Sequence, residues 1–431
     1  MTAQTNSIRA VVKTLLQTAK NPRDFMVALI YNGTRRNTLP IDANLCFSDV
    51  KVINALLEEF KDCRYYSFEF LQPIRQELIK SMNTPADSVR FLSNVSKLGY
   101  VNHDLTVTVL THIVESGFLE QLSAGNAVQL IDAMAKQRVR ERALVSRLLD
   151  RHYTQMSPAM QARSMQSLAS LSIAINEVPR VGDSGYDGRS ALDIALGFCL
   201  SPDLMDSRPH VESSLIPALE LLGSNKAWLQ GNALNVPAIA KKLQIVRETL
   251  RCLYPRTLAR SSINARQFLA EIDMPISPPR NRVPSFTSSL SDTLFAIGVR
   301  HQINVLKGPF TIDILESGNT TIWNCEDETE FYAGPDSRMK TSYYVLRERI
   351  LSASGYNIIN VPISHWNRCK NKKAKVDYCQ MSRFLEIADN RPIRNDGGNT
   401  EYCGEYWFKK EQPKQSWTWH GHCTFPLRVS L

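Results

Sequence analysis

The chain has 431 residues, 43% of them hydrophobic and 22% charged, enough apolar material to bury a sizeable core and too much to leave the chain globally disordered. Lys and Arg number 51 against 42 Asp and Glu, a net charge of +9 that suits a polyanionic partner without identifying one. No stretch approaches the roughly 18 consecutive apolar residues of a membrane-spanning helix, and no small-molecule phosphate loop, Gly-x-Ser-x-Gly elbow or His-Glu-x-x-His motif occurs. Nine cysteines are scattered without a CxxC pair, an odd number that fits a reducing compartment better than a disulfide framework.

Residues 1–23 carry Arg9, Lys13, Lys20 and Arg23 and no acid, with Ile8, Val11, Val12, Leu15 and Leu16 able to line one helical face. This composition suits an organellar transit peptide, and equally an ordinary first helix with a basic face. From there to about residue 272, apolar residues recur at helical spacing and the region reads as all-helical. Three segments can be overlaid, beginning at Asn83, Leu122 and Met156, at offsets of 39 and 34 residues. Each offers a helix N-cap (Thr84, Ser123, Ser157) followed in phase by Leu92/Ile131/Met165 and Val95/Met134/Leu168. Such units cannot bury their apolar faces alone, so the spacing predicts stacked helical repeats. Segment 176–190 reads as a surface loop.

Met274–Pro284 holds four prolines and predicts an interdomain linker. Beyond it come one amphipathic helix, Ser288–Val299, then short strands at Phe310–Leu315, Thr320–Trp323 and Tyr356–Val361, with a helix over Met339–Ser352 before the last strand. The expected fold is therefore mostly α: a helical-repeat region over 1–273, a linker over 274–286, a small α/β domain over 287–370 and a basic, aromatic extension over 371–431.

The C-terminal pattern resembles the RAP domain, a module named for RNA binding and for its abundance in apicomplexan parasites. The residues that carry the likeness are Asp313 in Thr311-Ile-Asp-Ile314, Lys340-Thr341, Leu346-Arg347, Leu351, Gly355-Tyr356 and the closing Asn360-Val-Pro-Ile-Ser-His-Trp366. The resemblance implies a restriction-endonuclease-like fold and RNA as partner; Lys340, Arg347 and Trp366 are candidate RNA contacts, although for Trp366 the likeness favours a packing role over stacking on a base. One part departs: Trp323 stands where the family has an acid and Glu330 where it has His. A metal-dependent nuclease needs several oxygen ligands converging on one ion. Asp313 alone survives from that set, and no Lys follows Glu326, Asp327 or Glu328 by two residues. No metal, cofactor or catalytic residue is expected. Helical repeats followed by a RAP module are similar to organellar proteins of alveolates and algae that bind transcripts or rRNA, some as ribosome subunits. That likeness implies a mitochondrial matrix location, with a plastid second, and ribosomal or other ribonucleoprotein partners.

Three basic clusters are candidate RNA contacts. Arg368, Lys370, Lys372, Lys373 and Lys375 follow Trp366 with no acid among them; Arg138, Arg140 and Arg142 stand at the turn between two repeat helices, with Lys136, Arg147 and Arg151 around them; Lys241, Lys242, Arg247, Arg251, Arg256 and Arg260 form the third. Trp407, Trp417 and Trp419 interleave with Lys409, Lys410 and Lys414 in the tail and suit RNA, a protein interface, or packing on the domain itself. Cys403, His420, His422 and Cys423 are too cramped for an ordinary zinc site. The expected function is non-catalytic RNA binding in a mitochondrial ribosome or a similar assembly. A RAP-type endonuclease and a protein-binding repeat scaffold are the alternatives.

Overall fold

The structure, a computed structural model, describes residues 50–63, 71, 75–181, 185–224, 236–271, 284–318, 320–333 and 339–389. The basic segment 1–23, the linker up to residue 283 and the tail from residue 390, with its tryptophans and its Cys/His set, lie outside the described residues.

The first half is a stack of helices: α1 (Val50–Cys63), α2 (Arg75–Lys80), α3 (Pro85–Lys97), α4 (His103–Glu115), α5 (Ala124–Gln137), α6 (Arg142–His152), α7 (Pro158–Ser170) and α8 (Gly188–Leu200). The capping expectation is met residue by residue, since the side chains of Thr84, Ser123 and Ser157 accept the backbone N–H groups of Asp87, Asn126 and Met160. Leu92, Ile131, Met165, Val95, Met134 and Leu168 are all buried. The capped helices α3, α5 and α7 pack in succession, with α1 before them and α8 after, so the overlaid segments are the stacked layer of the repeats.

Side chains satisfy carbonyls left over at the ends of this layer. Gln137 Nε2 donates to the Tyr100 carbonyl at 2.6 Å, and the Arg140 guanidinium donates to the carbonyls of Leu171 and Ser172 at 2.7 Å each. The stack continues through α9 (Ile216–Ser224), α10 (Val236–Cys252) and α11 (Ile263–Glu271). Among the described residues no strand precedes residue 301, and no helix is long and apolar enough to cross a membrane.

The C-terminal part begins with α12 (Ser285–Ala296), followed by β1 (His301–Lys307), β2 (Phe310–Glu316), β3 (Thr321–Glu326), α13 (Ser342–Ala353), β4 (Asn357–Pro362), α14 (Ile363–Arg368) and α15 (Lys372–Asp389). Strand order in the sheet is β1-β2-β3-β4; the first two pairings are antiparallel, and β3–β4 is parallel, with α13 in the crossover. Strand β1 is absent from the sequence expectation. His301-Gln-Ile-Asn-Val-Leu-Lys307 shows no clean alternation because this edge strand is exposed or half-buried along its length, and Asn304 adopts φ +53°.

Register decides which core each strand residue enters. Ile322, opposite Ile358, joins a core with Phe310, Ile312, Leu346, Ile350 and Leu351 that is continuous with α8–α11. Trp323, opposite Ile359, joins a second core with Leu290, Leu294, Val361, Trp366 and Cys379. The C-terminal sheet is thus built onto the helical stack. A seam of hydroxyls closes the join: Ser342 Oγ donates to the Ala169 carbonyl and Tyr332 OH to that of Ser170, both at 2.6 Å, while Ser172 Oγ lies 2.6 Å from Ser342 Oγ. The C-terminal α/β domain shares its core with the stack, within one compact unit that extends to Glu386. Of the second unit, which begins at Ile387, only the end of α15 is described.

Candidate nucleic-acid interface

Sheet geometry gathers a buried polar cluster beneath α13. The Asp313 carboxylate accepts the Cys325 amide at 3.0 Å, beyond the last β2–β3 pair, Ile314 with Trp323. Asn324 and Asn360 face each other across the β3–β4 pair and hydrogen-bond at 3.1 Å. Asn360 donates onward to Glu348 at 2.6 Å. Lys340 Nζ pairs with Glu326 at 2.6 Å and with Glu348 at 3.0 Å, and Tyr344 OH donates to Glu326 at 3.2 Å.

Burial pushes Asp313 above the ordinary carboxylate range, against the pull of Arg347. It lifts Glu330 to about 7, with Arg347 and Arg138 opposing and Asp327 and Asp313 adding to the rise. For Lys340 burial acts downward, but hydrogen bonds to Glu326 and Glu348 prevail and hold the ammonium above its usual value.

Two of the expected RNA contacts are committed to this cluster. Lys340 is half-buried between two carboxylates, and Arg347 is 8% exposed, donates to Asn324 Oδ1 at 2.9 Å and leaves its Nε without a partner. Both charges are engaged by partners within the protein. No lysine follows Glu326 by two residues in sequence; the one that reaches it comes from position 340, at the mouth of α13. Among the described residues no group of three or more His, Cys, Asp or Glu side chains is placed to hold a metal ion.

The clusters on the helical stack are engaged for the most part, while Arg142 and Arg256 are exposed and form no ion pair with a described residue. Arg140, 4% exposed, caps the end of α7 and lies with its guanidinium 5.8 Å from the Tyr332 ring centre. Arg138 donates to the Thr329 carbonyl, and its own carbonyl accepts from Ala333 at 2.9 Å. Both arginines join the stack to the sheet domain, Arg140 buried and Arg138 half-buried; Arg142 is exposed. Lys136 and Arg163 share Asp132, at 2.9 and 2.8 Å, and hold its carboxyl below the usual range despite burial. Arg147 and Arg151 share Glu120. In the third cluster Lys242 pairs with Asp193 at 2.8 Å, Arg247 and Arg251 pair with Glu248, and Arg260 with Glu212. Lys241 lies 5.4 Å from the Tyr343 ring centre.

The run after Trp366 differs. Trp366 itself is 3% exposed, packed beside Phe286 and Tyr378, so it is a core residue and not a stacking platform. Lys375 lies over its ring at 4.8 Å and donates to Ser289 Oγ at 3.2 Å, which removes it from the exposed set. Arg368, Lys370, Lys372 and Lys373 are exposed, and none forms an ion pair with a described residue. Asn371 caps α15 by accepting the Ala374 amide at 2.8 Å, which places Lys372 and Lys373 in the first helical turn. Cations there oppose the helix dipole, a local cost that a bound anion would reverse.

The family profile for the RAP domain matches residues 323–381. The chain carries a RAP domain. The match runs from Trp323 on β3 to Met381 on α15, so the four exposed cations fall inside the RAP domain while Asp313 on β2 falls outside the matched residues. No curated protein matches the chain. Trp323 and Glu330 occupy the departures from the family pattern, and the structure gives the first a physical role: the indole is fully buried and its Nε1 donates to Glu316 at 3.0 Å, where a carboxylate would meet an apolar core. Glu316, 3% exposed, is held in turn by a bidentate pair with Arg383 of α15 at 3.1 and 3.0 Å. RAP domains are generally associated with RNA binding.

Proposed function

We propose that the protein is a non-catalytic RNA-binding protein that grips phosphates with the corner between α14 and α15, and that it serves in a mitochondrial ribosome or a similar organellar RNA assembly. The observation that carries the RNA reading is the fate of the positive charges. The Lys and Arg side chains of the helical clusters are, Arg142 and Arg256 apart, engaged in ion pairs, caps and aromatic contacts, whereas Arg368, Lys370, Lys372 and Lys373 stand exposed and unpaired among the described residues, together and within the RAP domain. Each contact between such a cation and a phosphate releases condensed counterions.

Changing these four residues to Ala removes up to four contacts, so the slope of log K against log salt concentration should shrink by up to ~3–4. Undiminished affinity and slope would overturn the proposal. The absence of catalysis is supported by Trp323, whose indole fills the core where the family carries an acid, and it is tested by incubating the purified chain with RNA and Mg²⁺ or Mn²⁺. Cleavage lost in Asp313→Ala would establish the enzyme instead. The organellar assignment is supported by the likeness of helical repeats followed by a RAP module to organellar proteins, and by the acid-free basic residues 1–23. Residues 1–40 fused to a fluorescent protein should reach mitochondria, and cytosolic retention would remove that part of the proposal.

A further inference from the structure

The corner also indicates which form of RNA it takes, a conclusion that rests on the RNA-binding reading. We infer that it holds the backbone of duplex RNA and not unstacked bases. Proteins that hold single strands without reading sequence combine a basic groove with aromatic faces on which bases stack. Readers of A-form duplexes rely on phosphate and 2′-hydroxyl contacts across a wide, shallow groove.

At this corner the exposed side chains are the four cations together with Asn367 and Asn371, small polar groups suited to hydroxyls, with one exposed acid, Asp377, a turn further along α15. Among the described residues, the aromatic side chains beside the corner are turned to packing. Trp366 is buried, Phe286 and Tyr378 are half-buried against it with ring centres 6.0 and 6.3 Å away, and the Lys375 ammonium lies over the indole. The exposed phenylalanine on the same helix, Phe384, lies roughly 16 Å further along α15 from Lys373 at 1.5 Å per residue. A surface of charge without stacking responds to phosphate density, and a duplex presents more of it than a single strand. The salt slope per contact is about 0.9 for B-form DNA and about 0.7 for single strands, and the dense phosphates of an RNA duplex place it near the first value.

The test uses the full chain, a fluorescent 20-base-pair RNA duplex and a 40-nucleotide oligouridine of matched phosphate number, with anisotropy titrations from 0.05 to 0.5 M salt. Over four contacts the slopes should differ by about 0.8, so the affinity ratio of duplex to single strand should fall about sixfold across that range. The Arg368→Ala, Lys370→Ala, Lys372→Ala, Lys373→Ala variant should lose this difference while keeping its far-ultraviolet circular dichroism. Equal slopes for both RNAs, or tighter single-strand binding that is lost in Phe384→Ala, would overturn the duplex assignment and leave the RNA reading standing. Salt-dependent binding to neither RNA would remove both.

Discussion

Arg140 and Arg142 are two positions apart in sequence and occupy opposite environments. The first is buried against the carbonyls that end α7 and the ring of Tyr332, and the second is exposed. Composition and spacing could not separate them, because which arginine turns inward depends on a partner more than thirty residues away. Arg140→Ala leaves two carbonyls unsatisfied and should cost ~2–4 kcal/mol in urea denaturation, whereas Arg142→Ala should fall within about 0.5 kcal/mol of the parent. Equal effects would contradict the capping role. Glu330 gives a second measurable consequence. Its carboxyl ordinarily titrates near 4.5 and is lifted to about 7 in the folded chain, so between these values the folded state binds a proton that the unfolded state has released. Stability attributable to this group is therefore present at low pH and lost as pH rises through the window, by ~1–3 kcal/mol. Glu330→Gln should flatten that decline, and an unchanged stability–pH profile would place Glu330 in an ordinary solvated setting.

Among elements, the repeat helices were the most readable part of the sequence. Thr84, Ser123 and Ser157 predict their caps and the apolar phase predicts the buried layer, because both signals are local. Three strands and α13 were placed within three residues of their observed limits, whereas β1 carried too little alternation to be seen. The polar cluster under α13 was invisible because Glu326, Lys340 and Asn360 meet only through the β3–β4 crossover. Helix α15 carries a built-in conflict between stability and proposed function. Replacing Lys372 and Lys373 by Glu complements the helix dipole and should stabilise the RNA-free protein by ~0.3–1 kcal/mol per site, while weakening RNA binding. If thermal stability and affinity fell together, these lysines would be serving the fold.

At the level of the whole molecule, the core shared by the sheet and the helical stack makes the RAP domain dependent on its support. Phe310, Ile312, Ile322, Leu346, Ile350 and Leu351 pack in one cluster with residues of α8–α11. A fragment spanning residues 285–386 would expose that face to water, at about 25 cal/mol per Å² of apolar surface. It should be aggregated or unfolded, whereas the intact unit should lose its helix and sheet signals in one cooperative transition. A soluble fragment with a native-like melt would show that the shared core is dispensable.

The buried Glu316, gripped by Arg383 and by the Trp323 indole, has a mechanical consequence. Under the proposed function, RNA bound at the first turn of α15 would pull on a helix fastened to β2 farther along its length, so a load on that RNA would pass into the sheet instead of peeling the helix away. With RNA tethered in an optical trap, Arg383→Ala should lower the force at which the complex ruptures, even where its unloaded affinity for RNA is unchanged.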